Sequence, residues 1–363
     1  MEGEAILLFE RSIIHCDNRT RLDQSMSKRS IESERQELFR IVSGYKSTQA
    51  LYVAAKLGIA DHLKRGPMRS DELAKEVGAN PRALLRLLRH LAALGIFTQD
   101  ESRKFGLTPL GELLCNDNPE SMRYNAIFAG EENYKATGDL LHSVRTGETA
   151  FNHLYGKGHF DWLADHPDES STFNKAMAQS LRRLRNPVES YDFTGKHLIV
   201  DVGGGRGDLI TSIMQANPTL KGVLFDLAQG SREAQSLLKT KGVADRCQIK
   251  TGSFFDSVPA GGDVYVLSRI LHDWPDDKVA TILANCRKAI KDDGTLLIRD
   301  NVLTDLDEFG SQLDMTMMIM TGGQERTESE WKNLLHSTGF VLTKVHKKEG
   351  QLDLIEAKPH PMP

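Results

Sequence analysis

At 363 residues, with 39% hydrophobic and 26% charged side chains, the chain has an ordinary globular balance and is long enough for two domains. A formal charge of −4 argues against a general polyanion binder, and no apolar run reaches the ~18–20 residues that span a bilayer. Cys16, Cys115, Cys247 and Cys286 lie far apart without a C-x-x-C pair, so free thiols in a reducing cytoplasm are expected rather than a zinc or disulfide framework. The acidic opening Met1-Glu2-Gly3-Glu4 lacks the basic start of a secretory signal, which also points to the cytoplasm.

Residues 1–35 are polar and irregular and read as a flexible or swapped arm. From about Glu37 the spacing turns helical through Leu38, Ile41 and Val42, then Leu51, Val53, Ala54, Leu57 and Ile59. A short helix is expected from the capping Ser70 to Gly78, and a second from Asn80-Pro81 to Gly95, with Leu84, Leu87, Leu88 and Leu91 on one face. A hairpin of Ile96–Thr98 and Lys104–Thr108 completes a winged-helix pattern over 36–115. Arg82, Arg86, Arg89 and His90 lie where a DNA reader would put recognition residues, although basic helix faces are more often simply solvated. Residues 116–185 read as mostly helical, with Tyr134, Phe151, Tyr155, Phe160, Trp162, Phe173 and Met177 mixed through them.

Over 186–363 short apolar strands alternate with amphipathic helices. Strands are expected at Leu198–Val202, Gly222–Asp226, Cys247–Thr251, Asp263–Ser268 and Thr295–Arg299, with helices near 208–216, 231–240 and 277–290. That alternation predicts an α/β fold with a mostly parallel sheet covered on both faces. A helix over Glu328–Ser337 then precedes an antiparallel hairpin of Phe340–His346 and Gln351–Ala357, turning at Lys348-Glu349-Gly350.

The first strand ends in Asp201-Val202-Gly203-Gly204-Gly205-Arg206-Gly207. Glycines at a strand-to-helix turn bring bare backbone close to a ligand. The dinucleotide fingerprint G-x-G-x-x-G fails in both frames, because Asp208 and Ile210 stand where its last glycine belongs. Asp226, at the tip of the second strand before Leu227, is placed to accept ribose hydroxyls. A ribose acid without the pyrophosphate glycine implies a nucleoside ligand lacking a diphosphate, which S-adenosylmethionine satisfies.

Leu267-Ser268-Arg269-Ile270-Leu271-His272-Asp273-Trp274, together with Asp201–Gly207 and Gly322-Gly323-Gln324-Glu325-Arg326-Thr327, closely resembles the small-molecule O-methyltransferases. That family includes plant caffeic acid enzymes, acetylserotonin methyltransferase and bacterial natural-product methyltransferases of secondary metabolism. The resemblance covers about residues 36–358. It implies a Rossmann-like class I methyltransferase sheet with an N-terminal winged-helix dimerisation domain, a homodimer, and His272 as general base.

By the same resemblance Asp300 and Glu325 flank the base, Asp300 being one methylene shorter than the usual glutamate. Asp273 either bonds the acceptor or caps the next helix. Ser253 and Ser268 replace the acid and lysine of plant members, so donor contacts are expected through backbone amides, Phe254 stacking and Arg269. Phe160, Phe173, Met177, Met315 and Met318 are expected to form an apolar slot for an aromatic acceptor. No metal is expected, nor any nucleic-acid or membrane partner. The alternatives are the same fold methylating nitrogen or carbon, and a winged-helix regulator.

Overall fold

The computed structural model describes residues 30–183, 191–347 and 352–360. The expected arm therefore lies almost wholly outside the described residues, as does the turn Lys348-Glu349-Gly350. The chain divides into two compact units, Met1–Leu51 and Tyr52–Pro363. A helix over Ile31–Lys56 carries Leu38, Phe39, Ile41 and Val42 more than half exposed. Among the described residues no helix is long and apolar enough to cross a membrane.

The winged-helix pattern is present. Asn80 caps the helix Pro81–Ala93 by accepting from the Arg82 and Ala83 amides, and Leu84, Leu88 and Leu91 form its buried face. The preceding helix Ser70–Glu76 is capped one residue earlier than expected: Arg69, not Ser70, is the cap residue, and Glu72 reaches back to its amide. Three short strands, β1 (Met68–Arg69), β2 (Phe97–Gln99) and β3 (Lys104–Leu107), pair in the order β1-β3-β2.

The large sheet contains β4 (Leu198–Val202), β5 (Lys221–Asp226), β6 (Cys247–Thr251), β7 (Val264–Ser268), β8 (Thr295–Arg299), β11 (Phe340–His346) and β12 (Leu354–Pro359), in the order β11-β12-β8-β7-β4-β5-β6. Strands β4 to β8 are parallel, and β12 inserts antiparallel between β8 and β11. The central strands are buried almost throughout because helices cover both faces, which is why they read as unbroken apolar runs. One core includes Val200, Leu267, Leu283 and Trp331; the other includes Ile199, Ile210, Leu224 and Val266.

Two features of this topology build a site. The chain leaves β4 for β5 on one side and later fills the other side with β7, so a crevice opens at their carboxyl ends. A separate parallel pair, β9 (Val302–Leu303) with β10 (Arg326–Thr327), carries residue 325 back beside residue 301, just past the end of β8.

Between the winged helix and the sheet lie short helices: Arg123–Gly130, Glu132–Thr137, Leu140–Thr146, Ala150–Tyr155, His159–Asp165 and the longer Pro167–Arg183. Their buried residues Ala136, Phe151, Trp162 and Leu163 pack with Ile319 and Met320 of the helix Glu308–Met320.

Candidate active site

The glycine turn after β4 is a cradle no side chain could share. Gly203 has φ +73°, and a Cβ there would lie 2.4 Å from Ile270 Cδ1. A Cβ on Gly204 would meet Leu224 Cδ1 at 2.3 Å and Asp201 Oδ2 at 2.6 Å. Asp201 thus sits beneath the turn rather than open to the crevice. It is 1% exposed with Oδ2 unpartnered, and burial, with Asp226 beside it, pushes its carboxyl up to about 7. Asp226 accepts from the Gly205 amide at 2.7 Å and the Leu227 amide at 2.6 Å, so it also shapes the loop. Each oxygen keeps a further lone pair that a ribose hydroxyl could fill. Phe254 borders the turn and packs against Phe255 and Trp274, while Leu227 lies 44% exposed at the rim. These residues fit a nucleoside-bearing donor.

Two serines at this edge are engaged internally. Ser253 Oγ accepts from the Phe255 amide, and Ser268 Oγ accepts from Arg299 Nη1 at 3.3 Å. Arg269 takes φ +58°, a torsion unusual for a residue with a side chain, and its Nη2 lies 2.9 Å from Met177 Sδ.

His272 occupies a single 3₁₀ turn, Leu271–Asp273, directly beyond β7, and is 2% exposed. Its Nδ1 is 2.6 Å from Glu325 Oε1, while Glu325 Oε2 accepts from the Asn301 amide at 3.2 Å. With the carboxylate taking an Nδ1 proton, Nε2 carries the lone pair, the tautomer a base requires. Asp273 Oδ1 lies 3.9 Å from Nε2. Asp273 does not cap the next helix: Pro275 is the cap residue of Asp276–Ala289, with no side-chain bond.

Asp300 is fully buried beyond β8, with both carboxylate oxygens unpartnered, so it reaches His272 through its field rather than a direct bond. Burial disfavours the imidazolium, but Asp300, Glu325 and Asp273 together outweigh it and raise His272 to about 9. Burial raises Asp273 to about 6 and Asp300 to about 7, against the pull of His272.

Residues not singled out from sequence hold this arrangement. The Arg326 guanidinium, 1% exposed, donates to the carbonyls of Leu271, Trp274 and Gln324 and to Asp276, stapling the His272 turn to the Glu325 loop. Gly323 lets that loop cross closely, since a Cβ there would lie 2.0 Å from the His272 carbonyl oxygen. Both belong to the Gly-Gly-Gln-Glu-Arg-Thr segment, which was the available signal.

Of the expected slot residues, Phe160 stacks on Trp274 at 5.7 Å and Phe173 meets Phe160 edge-on at 6.3 Å. Met177 reaches Arg269, and Met318 is partly buried. Met315 is 43% exposed; Met317, Ile319 and Met320 are the buried large side chains of that helix instead. Among the described residues, Asp139, His142 and His153 form a group that could hold a metal ion, and none of them belongs to the base cluster.

The O-methyltransferase domain model matches residues 137–341, and the O-methyltransferase dimerisation domain model matches 39–117. The phenazine O-methyltransferase PhzM of Lysobacter antibioticus is 44% identical over 89% of this chain and 95% of its own length. The chain belongs to the O-methyltransferase family. This methyltransferase superposes on the crystal structure of LaPhzM with a TM-score of 0.86 at 43% identity, covering 90% of this chain and 99% of that one. It also resembles NcsB1, an O-methyltransferase from neocarzinostatin biosynthesis solved with S-adenosylmethionine and 2-hydroxy-5-methyl naphthoic acid, with a TM-score of 0.78, 33% identity, and coverage of 86% and 96%. The enzyme is an S-adenosylmethionine-dependent O-methyltransferase with an N-terminal dimerisation domain.

Proposed function

We propose that the methyltransferase alkylates a hydroxyl of a planar aromatic metabolite, with His272 as the general base. The 2.6 Å Nδ1–Glu325 contact in a 2% exposed site supports this most directly, because it leaves Nε2 as the proton acceptor. S-adenosylmethionine, when bound, supplies an electrophilic methyl on a sulfonium.

The turn Gly203–Gly205, Asp226 and Phe254 would hold the donor, and Phe160, Phe173, Met177 and Trp274 would align the acceptor ring. Its hydroxyl proton would pass to Nε2 as that oxygen bonds the methyl carbon and the carbon–sulfur bond breaks, leaving neutral S-adenosylhomocysteine. Glu325 fixes the ring's tautomer, and Glu325, Asp300 and Asp273 stabilise the resulting imidazolium. Raised to about 9, the imidazole alone is largely protonated at neutral pH. With a sulfonium charge bound beside it, the His272 imidazolium would be disfavoured and Nε2 would regain its lone pair.

A relative that methylates a phenazine and another solved with a naphthoic acid bound favour a fused aromatic acceptor. The exposed Leu38, Phe39, Ile41 and Val42 favour pairing of two copies. The mechanism requires no metal, so activity should survive a chelator. His272→Ala should lower turnover ~10²–10⁴-fold while S-adenosylhomocysteine affinity holds; unchanged turnover would refute the assignment.

A further inference from the structure

A second buried histidine has no part in this chemistry. His159 opens the helix His159–Asp165 and is 3% exposed, with Nε2 unpartnered. Its ring is surrounded by Phe151 at 4.9 Å, Phe173 at 5.3 Å, Phe160 at 5.6 Å and Phe128 at 6.4 Å. Burial pulls its pKa down to about 4, so it is neutral under physiological conditions. Phenyl rings offer Nε2 no polar hydrogen and at best a weak π-face acceptor, and a trapped water needs two or more polar partners.

An orphaned ring nitrogen there carries a desolvation cost that phenylalanine would not. The position is also tied to the acceptor slot. Phe160, the next residue, stacks on Trp274, two residues beyond the base, and Phe173 shares a helix with Met177.

We infer that His159 is a specificity-determining contact, its Nε2 hydrogen-bonding a second polar group on the acceptor, at the ring edge away from the methylated hydroxyl. The inference rests on the acceptor slot proposed above. It narrows the substrate class to planar aromatics with a ring nitrogen, carbonyl or second hydroxyl in addition to the reacting one.

The test uses 1-hydroxyphenazine and 1-hydroxyanthracene, which share a shape and differ in their ring nitrogens. The wild type should favour the phenazine at least ~10-fold in kcat/KM, about the net worth of one buried hydrogen bond. His159→Phe should bring the ratio to within about twofold, mainly through KM for the phenazine, and His159→Asn should restore part of it. S-adenosylhomocysteine affinity should be unchanged and the His159→Phe melting temperature should not fall, because the orphaned nitrogen is gone. No preference in the wild type, a preference that survives His159→Phe, or a marked fall in melting temperature overturns the inference. His272→Ala run alongside separates the two readings: if it retains turnover, the base assignment fails whatever residue 159 does.

Discussion

The sheet edge and the aromatic helical segment each bury one imidazole, with opposite consequences. His272, at 2% exposure among Asp300, Glu325 and Asp273, is raised to about 9; His159, at 3% exposure among four phenyl rings, is lowered to about 4. Burial weighs against the charged form in both places. The carboxylates brought together by the ends of β7 and β8 and by the β9–β10 pair raise the proton affinity of one histidine, the property the proposed base uses. Their absence leaves the other a neutral hydrogen-bonding group.

That contrast can be broken by substitution. Glu325→Gln should have the largest effect, lowering kcat ~10–10²-fold through lost orientation, part of the ~10²–10⁴ a general base supplies. Arg326→Met should come next: the Leu271, Trp274 and Gln324 carbonyls lose a charged donor, at about 3 kcal/mol or more of stability read from chemical denaturation. Gly203→Ala should weaken the donor's apparent affinity by about tenfold, since φ +73° and a 2.4 Å approach to Ile270 force the turn to shift; unchanged donor KM would place the donor elsewhere.

The smallest effect is on pH dependence. In the donor-free enzyme, reported by kcat/KM for the donor, activity should rise with pH through an ionisation near 9, and kcat through a lower one once the donor's charge is present. Asp300→Asn removes a negative charge that favours the imidazolium, so both limbs should move to lower pH. A limb that stays put or moves upward would contradict the field attributed to Asp300.

The two regions also differed in how far they could be read from sequence. Strands Leu198–Val202 and Thr295–Arg299 were legible to the residue, because a strand buried on both faces is an apolar run, cut off here by Gly203 and by Gly294 and Asp300. His272 and Glu325 stood in recognisable segments at a sheet edge where ligands bind. Residues 116–185 resolved only into a helical tendency, because helices such as Ala150–Tyr155 and His159–Asp165 last too few turns to show a period. His159 carried no local signal; its meaning comes from rings contributed by four helices.

The methionines show the same limit. Apolar residues spread around the helix Glu308–Met320, so only packing distinguishes buried Met317 and Met320 from exposed Met315. Asp300 was expected beside the base and its missing methylene was visible in the sequence, but only the coordinates show both its oxygens without a partner, a neighbour of His272 rather than a bonded one.

Nitrogen-15 NMR of histidine-labelled enzyme, titrated without donor and with a His272→Gln spectrum for assignment, addresses the central claim most directly. The account predicts a neutral His272 protonated at Nδ1, with a hydrogen-bonded proton lost on Glu325→Gln, and an ionisation well above the ordinary ~6.5 of imidazole. A His272 that is protonated at Nε2 when neutral, or that titrates at or below that ordinary value, would contradict it.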